Sequence, residues 1–416
     1  MQQQPDPIFP PASTTTEERT VSWALALGGL IALAVAMGIG RFAFTPMLPL
    51  MQADLGLSVK AGSWLASANY AGYLAGALAA ARWRVAPLRA IVVGVLTIAV
   101  TTLAMGFTHA FVEWILWRAA AGIASAFVLV HISAWAVQRL ASLRQPALAG
   151  VVFAGVGIGI IGAGVICLAA VDSGATSASI WLILGAVSAL ALLAVVVLFR
   201  AAGAAADRTA EAAAPQDRGS FTRDEWRLIL CYSAFGFGYI IPATFLPVMA
   251  REAIRDPAAF GWAWPLFGMA AAVVTLVAGR VSTPGRARRS WAISHFVMAT
   301  GCAVAALFHS FAAVLIAALA VGGTFIVLTM YAMQEARLVA GAHARPLIGA
   351  MTAAFALGQI VGPLLVHGSS DPAAQFGFPL LLAALFLSIS GAVLLLTPRR
   401  RMSSTTLDPQ ARPTRA

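Results

Sequence analysis

Apolar residues in this chain come in long, nearly unbroken stretches, not in the one-face stripes of a soluble helix or the alternation of a half-buried strand. Read between polar breaks, the first six lie near 23–50, 62–82, 88–107, 111–136, 147–170 and 178–199. Six more lie near 226–250, 259–281, 290–308, 311–336, 346–367 and 375–397. Each is long enough as a helix, at about 1.5 Å per residue, to cross a hydrocarbon layer about 30 Å thick. Inside a bilayer the backbone has no water to bond, so a spanning segment is a helix or part of a closed barrel. The alternating strands of a barrel, roughly ten residues each, are not in the pattern. It predicts an all-α integral membrane protein with twelve transmembrane helices.

One long hydrophilic segment, residues 200–223, interrupts the series and leaves six spans on either side. The expected layout is a disordered cytoplasmic tail over 1–20, a six-helix bundle over 21–199 and a cytoplasmic linker over 200–225. A second six-helix bundle over 226–397 and a disordered cytoplasmic tail over 398–416 complete it.

Charge sets the orientation. The chain carries 27 basic and 16 acidic residues, for a formal net charge of +11. With both termini in the cytoplasm, all but five of the basic residues fall in the tails and on the cytoplasmic side. The exceptions are Lys60, Arg251 and Arg255 outside, and Arg41 and Arg118 within spans. The clusters Arg82/Arg84/Arg89, Arg280/Arg286/Arg288/Arg289 and Arg399–Arg401 share one side, as the positive-inside rule requires. This placement accounts for the basic balance with the lipid bilayer as partner and without nucleic acid. Nearly all the cations are arginine in an alanine- and glycine-rich chain, the usage of a GC-rich bacterial genome, so the expected location is the bacterial inner membrane. Residues 1–20 lack the basic-then-apolar pattern of a cleaved signal.

The two halves repeat. At an offset of 198 residues, Ala36/Ala234, Gly38/Gly236, Gly40/Gly238, Leu48/Leu246, Pro49/Pro247 and Met51/Met249 match, as do Trp64/Trp262 and Arg82/Arg280. Repeated halves facing each other across a midplane site are the structural basis of alternating access, so the repeat points to a carrier.

Several motifs resemble the major facilitator superfamily. The fourth span holds Arg118-Ala-Ala-Ala-Gly122, and the fifth a glycine-rich run from Gly155 to Gly164. The stretch Gly76–Arg84 is similar to the superfamily's signature loop, with Ala80 nearest to its usual aspartate. A closer match is Gly38–Pro49 followed by Gly62–Gly76, which resembles the YbfB/YjiJ-type branch. The resemblance implies the major facilitator fold of two pseudo-symmetric six-helix bundles and a proton- or gradient-driven carrier. It supplies no substrate.

Candidate site residues follow from the cost of burying polarity in lipid. Arg41, well inside the first span, costs at least about 2.5–3.5 kcal/mol on insertion scales, so it must face a cavity or a partner. It either captures the anionic part of a solute, or snorkels, or bonds carbonyls freed by Pro46 and Pro49. Its repeat partner, Tyr239, offers a hydroxyl from the opposite half. Arg118 shares a helical face with Gly122 and Ser125; the resemblance connects it with proton coupling, and pairing with Glu113 is the alternative. Glu113, near the outer face, is a proton-coupling candidate or a wetted carboxylate. Glu335, at the inner end of the tenth span, either carries a proton or pairs with Arg337, Arg345 or another loop arginine. Asn69 and Tyr73 in the second span, and Gln359 in the eleventh, are the uncharged candidates for solute contact.

Other chemistries are not written in the chain. The six histidines show no metal-ligand spacing, and no Gly-Lys-Ser/Thr phosphate loop occurs. Cys167, Cys231 and Cys302 lie in separate apolar runs with no CxxC spacing, as small buried hydrophobes. No cofactor or metal is expected, and no convergent acid, histidine or nucleophile at membrane depth suggests an enzyme. The expected function is secondary active transport of a small anionic or zwitterionic solute, driven by a proton gradient, with no obligate protein partner. The rival expectation is an efflux carrier for lipophilic or cationic compounds.

Overall fold

The computed structural model describes residues 16–83, 85–203, 220–253, 261–281, 286–341, 344–366 and 373–396. Residues 1–15 of the tail expected over 1–20, most of the linker, the C-terminal tail, Arg84, Arg255 and the Arg399–Arg401 cluster lie outside the described residues, while Thr16–Thr20, expected to be disordered, are helical. Those described are helical, with no strand among them.

In chain order the helices are α1 (Thr16–Leu55), α2 (Val59–Arg82), α3 (Pro87–Phe107), α4 (Phe111–Ser142), α5 (Leu148–Asp172) and α6 (Ser177–Ala201). After the linker come α7 (Arg223–Ala253), α8 (Ala263–Val281), α9 (Ala287–Leu307), α10 (Phe311–Ala340) and α11 (Ala344–Leu364). A π turn (Ala373–Gly377) leads into α12 (Phe378–Leu396). Side-chain caps start several of them: Ser58 for α2, Thr176 for α6 and Ser310 for α10 each accept a bond from a first-turn amide. Among the described residues, eleven helices are long and apolar enough to cross a membrane. At 24 residues α2 has the length but not the hydropathy, because Ser63, Ser67, Asn69, Tyr70 and Tyr73 lie along it.

The outward faces are greasy. On α6, Leu190, Leu193 and Val197 are each about two-thirds exposed, an apolar surface that lipid covers and water would not tolerate. Several helices outrun the apolar stretches that announced them: α1 begins at Thr16, α4 runs to Ser142 and α10 to Ala340. Hydropathy marks the width of the bilayer, while the hydrogen-bond ladder continues into the aqueous layer beyond it.

Small residues set the packing, as expected where lipid removes the hydrophobic drive between helices. A Cβ at Gly72 would fall 2.0 Å from the carbonyl oxygen of Ala119, and one at Gly122 equally close to that of Asn69, so α2 and α4 touch backbone to backbone. Across the linker, α7 and α11 meet in the same way at Gly236 and Phe355. Neighbour relations recur in the two halves: α2 packs on α4 as α8 does on α10, α1 on α5 as α7 on α11, and α3 on α6 as α9 on α12. Between the halves, α5 packs on α8, α2 on α11 and α1 on α7.

The glycine-rich run of α5 serves two interfaces at once. Gly155 and Gly159 face Leu30 and Ala34 of α1, while Gly157 and Gly164 face Gly268, Ala272 and Pro265 of α8.

Candidate functional site

The site begins with a local departure from α-helical geometry. Residues Ala34–Phe42 of α1 form a π-helix, whose wider turn loosens the carbonyl ladder and leaves oxygens for side chains to take. Three side chains from two helices answer. Ser125 of α4 donates to the Ala36 carbonyl at 2.6 Å. Arg118 of α4 donates to Gly40 and Arg41 carbonyls at 3.3 and 3.1 Å. Asn69 of α2 donates to Gly40 at 3.2 Å and to the Arg118 carbonyl at 2.9 Å. Arg118 also stacks over Phe44, its guanidinium carbon 4.8 Å from the ring centre. Its charge is therefore committed to pinning α1, and Glu113 plays no part, since that carboxylate accepts from the Ala110 amide at the start of α4.

Arg41, held by this brace, sits at the centre of the molecule and is 2% exposed. One guanidinium nitrogen donates to the Tyr239 hydroxyl at 2.9 Å. The charge lies 4.2 Å from the ring centre of Tyr73 and 5.2 and 5.3 Å from those of Tyr70 and Phe42. Ring faces stabilise a desolvated cation by about 2 kcal/mol, less than its burial in lipid costs. Among the described residues, no Asp or Glu pairs with Arg41 or Arg118. The Nε atom of Arg41 is buried without a partner.

Gln359 of α11 completes the group through its side-chain amide, which meets the same Tyr239 hydroxyl. That hydroxyl has one proton and already accepts from Arg41. As placed, Gln359 Nε2 donates to Tyr239 and Oε1 is unpaired; turning the amide gives the Tyr239 proton an acceptor and leaves the buried NH₂ as the unpaired group, a donor. The centre then presents unused donors from Arg41 and Gln359 and no anion of its own.

Bonds between the halves surround this point. Thr45 donates to the Ala243 carbonyl at 2.7 Å, Tyr70 and Thr244 share a bond of 2.9 Å, and Ser67 donates to the Ile360 carbonyl at 3.1 Å. Farther toward the Leu55 end of α1, Arg251 donates to the Pro49 carbonyl at 2.8 Å. Beside them lies a cavity of about 30 Å³, lined by Pro46, Pro49, Gly164, Cys167, Pro247 and Trp264, large enough for a water but not for a solute.

Of the residues singled out in the sequence, Arg41, Tyr73, Tyr239 and Gln359 are thus brought together. Asn69 and Arg118 stand one layer behind, bonded to backbone. Glu113 and Glu335 lie elsewhere. Glu335 is fully buried and accepts from Arg288 at 2.8 Å, an arginine that Asp224 also holds at 2.7 Å. Sequence reading missed Thr45, Tyr70 and Thr244. The first was within reach, because Thr45 and Ala243 are 198 residues apart, the offset that relates Arg41 to Tyr239.

Among curated proteins none matches the chain. The family described as "Uncharacterised MFS-type transporter YbfB" matches residues 33–395, from the π segment of α1 to the last turn of α12. Eleven apolar helices, repeated neighbour relations, a charged centre between the halves and this match together place the chain in the YbfB-type family of major facilitator transporters, multi-pass membrane proteins.

Proposed function

We propose that this protein is a secondary active transporter of a small anionic solute, which binds at Arg41 between two six-helix bundles, α1–α6 and α7–α12. The observation that carries the reading is a buried arginine with an unpaired Nε, an amide beside it with one unpaired atom and, among the described residues, no acidic partner. An anion at that point would relieve the cost of burying the charge, and binding would be strongest where water is excluded.

Alternating access is supported by the repeat. Residues at equal places in two related halves touch only if they lie on the axis relating them, and Arg41/Tyr239 and Thr45/Ala243 are two such pairs, one turn apart. The solute would then sit where the halves rock against each other. With both termini assigned to the cytoplasm of a bacterial inner membrane, the Leu55 end of α1 is the outer one. Among the described residues, Arg41, Thr45, Ser67, Tyr70 and Arg251 bond across the halves at the centre and toward that end, which supports a conformation closed to the outside. Proton drive rests on the family resemblance alone. Glu113 and Glu335, its acidic candidates, are engaged at a helix start and in the pair with Arg288.

An efflux carrier for lipophilic cations is the second reading, favoured by the ring faces around the centre and opposed by the charge of Arg41. A thermal-shift screen in detergent separates the two. Organic anions and lipophilic cations are each run against wild type and Arg41→Ala. A ligand at 100 times its dissociation constant stabilises by about 2.7 kcal/mol. Anions that stabilise wild type and not the variant support the proposal; stabilisation by cations alone, unchanged in Arg41→Ala, overturns it.

A further inference from the structure

The surroundings of Arg41 restrict which anion fits. A dicarboxylate needs a second cation facing the centre, but Arg118 has both terminal nitrogens on the Gly40 and Arg41 carbonyls and its guanidinium over Phe44, with only Nε unpaired. An amino acid needs an acid for its ammonium group, and none of the described residues supplies one at the centre, Glu335 being held by Arg288. A polyol needs many unused polar groups. Here Tyr70 is engaged with Thr244, Thr45 with Ala243 and Asn69 with two carbonyls. Among the described residues, Arg41 Nε and one atom of the Gln359 amide are unpaired beside the charge, with Arg118 Nε and Asn69 Oδ1 in the layer behind, a set that suits a single carboxylate at Arg41.

The remaining wall is aromatic, and it is built by several helices converging on one point. Tyr239 of α7 lies parallel between Phe325 of α10 and Phe355 of α11, with ring centres 5.7 and 5.6 Å away and planes within 3° and 8°. Tyr232 continues the stack beyond Phe355 at 5.0 Å. From the first half, Phe42 meets Phe325 edge-on at 5.8 Å, and Tyr73 lies under the guanidinium. An apolar stripe on one helix would be ordinary core. Parallel rings from α7, α10 and α11, beside the unpaired Nε of Arg41, make a flat aromatic wall.

Resting on the reading of Arg41 as the anion seat, we propose that the solute is an aromatic monocarboxylate. Its carboxylate is held by Arg41 and Gln359, and its ring stacks with the Phe325–Tyr239–Phe355 set. The test is isothermal titration of the purified full-length protein with benzoate and 2-naphthoate, each beside its saturated counterpart of equal charge, and with phthalate and phenylalanine. The aromatic monoacids are expected to bind about tenfold more tightly than the saturated ones, from stacking of the solute ring on that wall. Phthalate and phenylalanine should bind more weakly still. In Phe355→Leu the preference for flat rings should fall to near unity while the saturated acids still bind. Equal affinity for flat and saturated acids, both lost in Arg41→Gln, would sink the ring preference and leave the anion seat standing. No carboxylate binding to wild type, or binding that survives Arg41→Gln, would overturn the seat and the ring preference together.

Discussion

The two membrane-embedded arginines of the first half look alike in sequence and differ in what holds them. Arg118 satisfies two backbone oxygens freed by the π segment of α1, so its loss strands buried acceptors. We expect Arg118→Gln to destabilise the unliganded protein by about 2–3 kcal/mol, read as a fall in Tm in detergent. Arg41 meets side chains only, the Tyr239 hydroxyl and the faces of Tyr73, Tyr70 and Phe42, and among the described residues no anion balances its charge. Arg41→Gln is therefore expected to melt no lower than wild type in the absence of ligand, while losing anion binding. A fall in Tm as large as that of Arg118→Gln would show Arg41 to be structural. The sequence carried one of these roles and hid the other. Arg41 and Tyr239 could be paired from the repeat alone, because a two-fold relation brings equal positions together. The duty of Arg118 depends on carbonyls that an ordinary α-helix would have kept for itself, and nothing in the residues Ala34–Phe42 announces that they wind more widely.

Among the elements, α5 separates two kinds of glycine. Gly157 lies against α8 so closely that a Cβ would fall 2.6 Å from the Ala272 amide nitrogen and the Gly268 carbonyl oxygen. Backbone cannot step aside as a side chain can, so Gly157→Val should force α5 and α8 apart. The expected result is a Tm lowered by more than 5 °C and loss of uptake in proteoliposomes, because overpacking costs about 1–3 kcal/mol or more. Gly162, on the same helix, has no atom within 4 Å of its would-be Cβ. Gly162→Ala is expected to leave Tm and uptake unchanged or slightly improved, alanine being the better helix former by up to about 1 kcal/mol. A null effect at both positions would remove the α5–α8 contact from the account. Sequence reading found this glycine run but could not divide it between two partners, since only the crossing of three helices decides which residue faces which. The apolar stretches themselves were legible to within a few residues at most ends. Their limits shifted where helices continued past the lipid, as at Thr16, Ser142 and Ala340.

At the scale of the molecule, the proposed closure toward the Leu55 end would rest, among the described residues, on bonds of which Arg251 to the Pro49 carbonyl is the farthest out. Cys167 lines the cavity just behind it and is 4% exposed. In a background lacking Cys231 and Cys302, Arg251→Ala should let a membrane-impermeant maleimide added outside modify Cys167 about fivefold faster, the worth of one bond of about 1 kcal/mol. An unchanged rate would mean that the outer closure does not depend on this contact. The meeting of Arg41 with its counterpart Tyr239 has another consequence. If the halves descend from one duplicated segment, two identical copies would have set arginine against arginine, or tyrosine against tyrosine, across that contact. The first is repulsive and the second uncharged, so only divergence of the copies makes a seat with a positive side and a flat side. A seat of the kind proposed would have polarity: a cargo molecule would lie in it one way round, whichever face of the membrane it came from.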